Sequence, residues 1–229
     1  MKRSKINKFI IEAEVLLAAG VFPLPPWAAW TPEEWKNRKD DCEAIFESRL
    51  GWDLTDFGSG DYLRRGLLLI TIRNGNKRTD IKPYAEKIMI IKEKQETPFH
   101  FHWHKTEDII NRGGGNLVIQ LYNSDENEDF ADSPVDFLTD GIRRRVNAGE
   151  RVILTPGESI TLQTGVYHRF YAEEGKGTVI AGEVSMTNDD FADNRFFENC
   201  GRFPDIEEDE KIYRALIGDY EKITSGGLS

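Results

Sequence analysis

Residues 98–122 read PFHFHWHKTEDIINRGGGNLVIQLY. Two short segments rich in aromatic, Ile, Val and Leu residues, Pro98–His104 and Asn116–Tyr122, flank a polar stretch that ends in Gly113-Gly114-Gly115. Each has the length and composition of a β-strand, and neither is long enough for a helix. The glycines read as a turn that lets the second strand start close to the first segment. The first strand carries His100, His102 and His104, three of the four histidines of the 229-residue chain. Successive side chains of a strand point to opposite faces, so residues two apart share one face. Imidazoles placed that way converge, as a metal ion requires.

The same grammar extends on both sides. Leu67–Ile72, Lys87–Lys92, Arg151–Leu154, Ser159–Leu162, Tyr167–Ala172 and Thr178–Val184 are further strand candidates. Turns such as Asn74-Gly75, Thr155-Pro156-Gly157 and Glu174-Gly175 separate them. Few helix-length patterns intervene, which favours an antiparallel all-β sandwich or barrel over alternating strands and helices. Upstream, Ser4–Ala19 places Ile6, Phe9, Ile10, Ala13, Leu16 and Leu17 at three- and four-residue steps, an amphipathic helix closed by Gly20. Phe22–Trp30 is an extended, proline- and tryptophan-rich connection. Thr31, Pro32 and Glu34 form a helix start, with a capping hydroxyl, proline at the first position and glutamate at the third. The spacing predicts that this helix runs to Phe46 or Ser48. A short acidic helix is expected from Ile206 to about Tyr220. The whole chain, 1–229, is read as one domain: a helical extension over 1–50, a β-barrel core over 60–190 and a C-terminal extension over 197–229.

Composition narrows the function. Hydrophobic residues make up 39 % and charged residues 31 %, the profile of a globular protein. The net charge of −10, from 40 acidic and 30 basic residues, argues against a nucleic-acid or anionic-membrane partner. Near the N-terminus Glu12 and Glu14 interrupt the apolar run that an export signal needs, and no stretch approaches the ~20 apolar residues of a membrane span. Cytoplasmic location is the expectation, with Cys42 and Cys200 as reduced thiols.

His100 and His102, with Glu107 five positions further on and His168 on a separate strand, make a donor set of three nitrogens and one oxygen. Open positions would remain for water or substrate oxygens, and Mn, Fe, Co, Ni or Zn all suit it. His102 and His104 alternate equally well, but Glu107 then lies only three residues on. The first pair is favoured, and His104 becomes a candidate substrate contact.

His100-Phe101-His102, Glu107 and Gly114 resemble the first signature of the cupin superfamily. Gly157, Gly165 and His168 resemble the second, although Gln163 and Ala172 replace its usual proline and asparagine. Two longer stretches are similar to the D-lyxose isomerase family of cupins: His102–Gly115 (HWHKTEDIINRGGG) and Gly182–Phe196 (GEVSMTNDDFADNRF). The resemblance implies a cupin jelly roll with N-terminal helices and a short C-terminal helix. It implies Mn2+ held by His100, His102, Glu107 and His168, a homodimer, and interconversion of D-lyxose with D-xylulose and of D-mannose with D-fructose. Apolar groups of Phe22–Trp35 are the expected dimer contact.

Aldose–ketose isomerisation through a cis-enediol needs a carboxylate to carry a proton between C1 and C2. Glu183, at the end of an apolar run, is the first candidate and Asp190 the second. Lys105 is a candidate to steady developing charge on a sugar oxygen. Arg195 is matched by the family-like polar segment, and Trp27 and Trp30 are candidate walls for a sugar's apolar face. The triple glycine lacks the spacing and Lys-Ser/Thr of a phosphate loop, which favours a free sugar. Competing readings are an iron-dependent cupin dioxygenase, which needs a more apolar chamber, and a non-catalytic sugar-binding cupin.

Overall fold

The computed structural model describes residues 1–75, 82–189 and 192–225. The helices are α1 (Arg3–Ala19), α2 (Pro32–Asn37), α3 (Glu43–Glu47) and α4 (Tyr220–Thr224). The strands are β1 (Gly51–Thr55), β2 (Leu67–Arg73), β3 (Tyr84–Ile91), β4 (His100–Phe101), β5 (Glu107–Gly114), β6 (Leu117–Ser124) and β7 (Phe130–Ala131). They continue with β8 (Val135–Thr139), β9 (Ile142–Val146), β10 (Arg151–Leu154), β11 (Ser159–Leu162), β12 (Val166–Ala172), β13 (Val179–Met186) and β14 (Arg195–Phe196). Among the described residues they form two sheets, ordered β1-β2-β3-β13-β5-β11-β8-β9 and β10-β6-β12-β4-β14, with β7 beside β6. Neighbouring strands pair antiparallel, so the expected jelly-roll core is present.

The interior between the sheets is filled by Met89, Ile91, Ile109, Leu117, Ile119, Leu121, Ile160, Phe170 and Val179, all buried. The outer face of the larger sheet is buried too. Ile88 and Ile90 alternate with Met89 and Ile91 along β3 and pack in a second cluster with Ile6, Ile10, Ala13 and Leu17 of α1. This is why β2 and β3 read as continuous apolar runs and not as alternating ones. Gly114 closes the approach of β5 to β13: its φ is +87°, and a Cβ there would lie 2.1 Å from the Thr178 carbonyl oxygen. The glycine run thus serves a tight strand approach.

Two helices differ from expectation. The capping box at Thr31 forms, with the Glu34 amide donating to Thr31 Oγ1 at 3.2 Å and the Thr31 amide to Glu34 Oε2 at 2.8 Å. The helix nevertheless stops at Asn37, and a short 3-10 turn at Lys39–Asp41 precedes α3. Asn37, Asp40 and Asp41 favour turns over helix interiors. The break allows Trp35 and Phe46 both to meet Tyr220, with ring centroids 5.1 and 5.0 Å apart. Trp27 and Trp30 join that cluster through Trp35, at 6.4 and 4.9 Å. The aromatics expected at a dimer contact therefore pack within the chain.

The second difference is at the C-terminal side. Helix begins only at the 3-10 turn Ile217–Asp219 and α4, because the acidic residues before it run along α1 and find partners there. Arg3 is fully buried, with Asp219 at 2.8 and 3.0 Å and Glu208 at 2.7 and 2.8 Å. Asn7 donates to Glu210 at 2.9 Å, and Arg214 to Glu14 at 2.8 Å. Two bidentate carboxylates on one guanidinium satisfy a charge that burial would otherwise make costly. No helix among the described residues is long and apolar enough to cross a membrane.

Candidate metal centre and cavity

His100 and His168 stand opposite each other in register where β4 pairs with β12. The strand expected over Pro98–His104 is paired only at His100 and Phe101, so His102 lies one residue beyond it. Its ring still converges on the same point. The three imidazoles each offer a nitrogen within 4.8 Å of the others. Each ring is fixed from behind by a backbone carbonyl: Pro98 for His100 Nδ1 at 3.0 Å, Asp193 for His102 at 2.7 Å and Val166 for His168 at 3.0 Å. A carbonyl oxygen only accepts, so each Nδ1 carries the proton and each Nε2 presents a lone pair.

The lone pairs of His102 and His168 are buried and accept no hydrogen bond. Glu107, at the start of β5, brings Oε1 to 3.1 Å from His168 Nε2 and 3.4 Å from His102 Nε2. Burial, with His168 and His102 alongside, holds His100 well below its ordinary pKa and therefore neutral. Burial works to raise Glu107, but Lys105 and His102 outweigh it, and the carboxyl sits well below the usual carboxylate range. Buried polar atoms without partners are rare, and three converging imidazoles facing one ionised carboxylate answer the requirements of a divalent cation. The residues fit such an ion.

Lys105 links this cluster to a second carboxylate. Its Nζ lies 2.6 Å from Glu107 Oε2 and 2.9 Å from Glu183 Oε1. Glu183 is on β13 between β3 and β5, and its side chain is buried. The cavity that holds these groups also has an apolar wall from Leu67, Leu69, Met89, Ile109 and Phe170. Thr97, Asn194, Phe196, Asp53, Arg202 and Phe203 are also part of the lining.

The structure thus brings His100, His102, His168, Glu107, Lys105 and Glu183 together. It does not bring His104, which is exposed and outside the cavity lining. Arg195 is also outside the lining, where its Nε donates to Glu128 at 2.8 Å. Trp27 and Trp30 belong to the Trp35 cluster and form no wall of the cavity. Asp190 lies outside the described residues.

Two contributors went unread in the sequence. Asp193 accepts the backbone N–H groups of His104 and Lys105 at 2.9 and 3.0 Å, while its carbonyl holds His102. It fixes the segment that carries the histidines, yet in sequence it is one acid among several in a polar turn. Lys87 is buried, and its Nζ lies 3.4 Å from Glu183 Oε1. At the head of the apolar run of β3 it looks like a solvated strand end.

Comparison with known proteins places these features in context. Residues 1–220 match the family described as D-lyxose isomerase. The D-lyxose/D-mannose isomerase of Escherichia coli O157:H7 is 44 % identical over 225 residues, covering 97 % of this chain and 99 % of that protein. The Serratia proteamaculans protein of the same description is 45 % identical over 223 residues, with 96 % and 98 % covered. Among solved structures, Cellulomonas parahominis L-ribose isomerase with L-ribose superposes with a TM-score of 0.61 at 17 % identity, covering 90 % of this chain and 98 % of the other. The Acinetobacter sp. DL28 L-ribose isomerase in complex with L-ribose gives 0.58 at 13 %, with 87 % and 93 % covered. At such identities the likeness is one of fold.

Proposed function

Because the chain belongs to the D-lyxose isomerase family, a family of sugar isomerases, we propose that it interconverts D-lyxose with D-xylulose, and D-mannose with D-fructose, through a cis-enediol. The observation that carries this reading is the link made by Lys105 between the histidine cluster and the buried Glu183, inside one cavity. His100, His102, His168 and Glu107 would hold the divalent cation, Mn2+ by the family resemblance. Such an ion supplies Lewis-acid polarisation of the sugar carbonyl, which acidifies the neighbouring C–H.

Glu183 then takes the proton from C2 of the open-chain aldose and returns it at C1, while a second proton passes between O1 and O2. Lys105 would donate to a sugar oxygen as negative charge develops there, in surroundings where burial strengthens the interaction. The apolar wall of Leu67, Leu69, Met89 and Phe170 would exclude water from the enediol and cover the C–H face of the sugar. We read the chain as one domain, since α1 packs on the outer face of the larger sheet. A homodimer rests on the resemblance alone, and a concentration-independent subunit mass in sedimentation would count against it.

The direct test strips the protein of metal and reconstitutes it with Mn2+, Fe2+, Co2+, Ni2+ or Zn2+ before assay on D-lyxose and D-mannose. Mn2+ should restore formation of D-xylulose and D-fructose, with one ion bound per subunit. Full turnover in the metal-free protein, or none with any metal, would sink the reading.

A further inference from the structure

Glu183 is held by one oxygen only. Its Oε1 accepts from Lys105 Nζ at 2.9 Å and from Ser185 Oγ at 3.2 Å, and Lys87 Nζ lies 3.4 Å away. No described residue donates a hydrogen bond to Oε2. Lys105 is shared with Glu107, but Lys87 is placed differently. It stands directly across from Glu183 in the pairing of β3 with β13. Its neighbours two and four residues on, Met89 and Ile91, pack into the barrel interior, and Lys87 lines the same cavity. An ammonium group at a core-facing strand position is strongly disfavoured unless an anion compensates it. Lys87 is 4 % exposed. The cross-strand carboxylate is a partner that makes its burial tolerable.

One ammonium hydrogen bond, a second ammonium in ion-pair contact and a hydroxyl that Glu183 shares with the Met186 carbonyl, all gathered on one carboxylate oxygen, do more than neutralise charge. They stop the group turning about its terminal bond and leave the other oxygen as the one with a lone pair to offer. We infer that Lys87 is a positioning residue for the proton transfer: with Ser185 it pins Glu183 through Oε1, so that Oε2 is the atom that takes the C2 proton. The inference rests on the reading of Glu183 as the base. Lys87 acts through that carboxylate and not on the sugar, so its removal should slow the proton transfer without loosening substrate binding.

The test is a double-mutant cycle on the metal-loaded protein, with Lys87→Met, Lys87→Arg, Ser185→Ala, Glu183→Gln and the Lys87→Met/Glu183→Gln pair. Methionine keeps the length and burial of the side chain without its charge. Lys87→Met should lower kcat on D-lyxose roughly 10-fold or more with KM changed less than about 3-fold and the metal content unchanged. Exchange of the C2 proton into deuterated water should fall by the same factor, and Lys87→Arg should recover part of it. In the Glu183→Gln background the same substitution should change the residual rate by less than about 3-fold, because the group it positions is gone. Additive losses in the double variant, an unchanged kcat, or a raised KM at constant kcat would each overturn the inference. Ser185→Ala in the same two backgrounds supplies an independent cycle if Lys87→Met does not fold. Normal turnover in Glu183→Gln alone would refute the underlying base assignment, a result separate from additivity of Lys87 with a Glu183 that matters.

Discussion

Glu183→Gln should keep its metal and lose about 100-fold or more in turnover, the range expected when a general base is removed. Glutamine has the same length, and its carbonyl oxygen can accept from Lys105 and Ser185 where Oε1 does now. Its amide nitrogen, however, stands where Oε2 stood and cannot take a proton. Among the described contacts Glu183 reaches the histidine cluster only through Lys105, which it shares with Glu107, so metal analysis of the variant should match the wild type. Stereospecific exchange of the C2 proton of D-lyxose into deuterated solvent should fall together with turnover. Near-normal exchange would exclude Glu183, and Asp190→Asn would then be the variant to examine. Turnover without exchange in the wild type would point to a hydride shift in place of the enediol.

His168→Ala should lose its metal and its activity together while still folding. The imidazole contributes one of three nitrogens to the site, and its Nδ1 anchor to Val166 is local to its own strand. Loss of partners that merely orient a ligand costs about 10- to 100-fold in affinity, so loss of the ligand itself should exceed that. The strand should survive, because β12 remains paired with β6 over seven residues, from Val166 to Ala172. His104→Ala supplies the contrast. His104 is exposed and contributes only a backbone N–H to Asp193, so occupancy should be unchanged. Retained metal in His168→Ala, or its loss in His104→Ala, would show that the ligand set is drawn from the wrong histidines.

The jelly-roll core was legible because antiparallel strands with short turns leave a local record of apolar segments and Gly, Pro and Asn punctuation. So were the four groups that converge, since the alternation of His100 and His102 is a geometric fact about extended chain. The choice between His102 and His104 turned on the reach to Glu107, and the structure brings His102 to that carboxylate and leaves His104 outside. Strand β5 was not legible as a strand: EDIINRGG carries charged and glycine residues because one side of it serves the centre and its far end serves the approach to β13. Lys87 and Asp193 were hidden for the same reason as each other. Their roles depend on cross-strand and cross-loop partners about 90 residues away, which local pattern does not encode. The misread C-terminal helix has the same origin. Residues 206–216 have helical composition, but long-range ion pairs with α1 outcompete local hydrogen bonding.

Those ion pairs have a bearing on biosynthesis. Arg3 and Asp219 are separated by 216 positions in sequence, and Glu14 and Arg214 by 200. A ribosome adding ~5–20 residues per second delivers the two partners ~10–40 s apart. Through that interval the arginine that ends fully buried is solvated, and α1 lacks its polar partners. The barrel strands emerge before residues 206–219 and can pair without them, so the seam between α1 and that segment closes last. Translation order thus delivers α1 well before the residues that complete its polar seam.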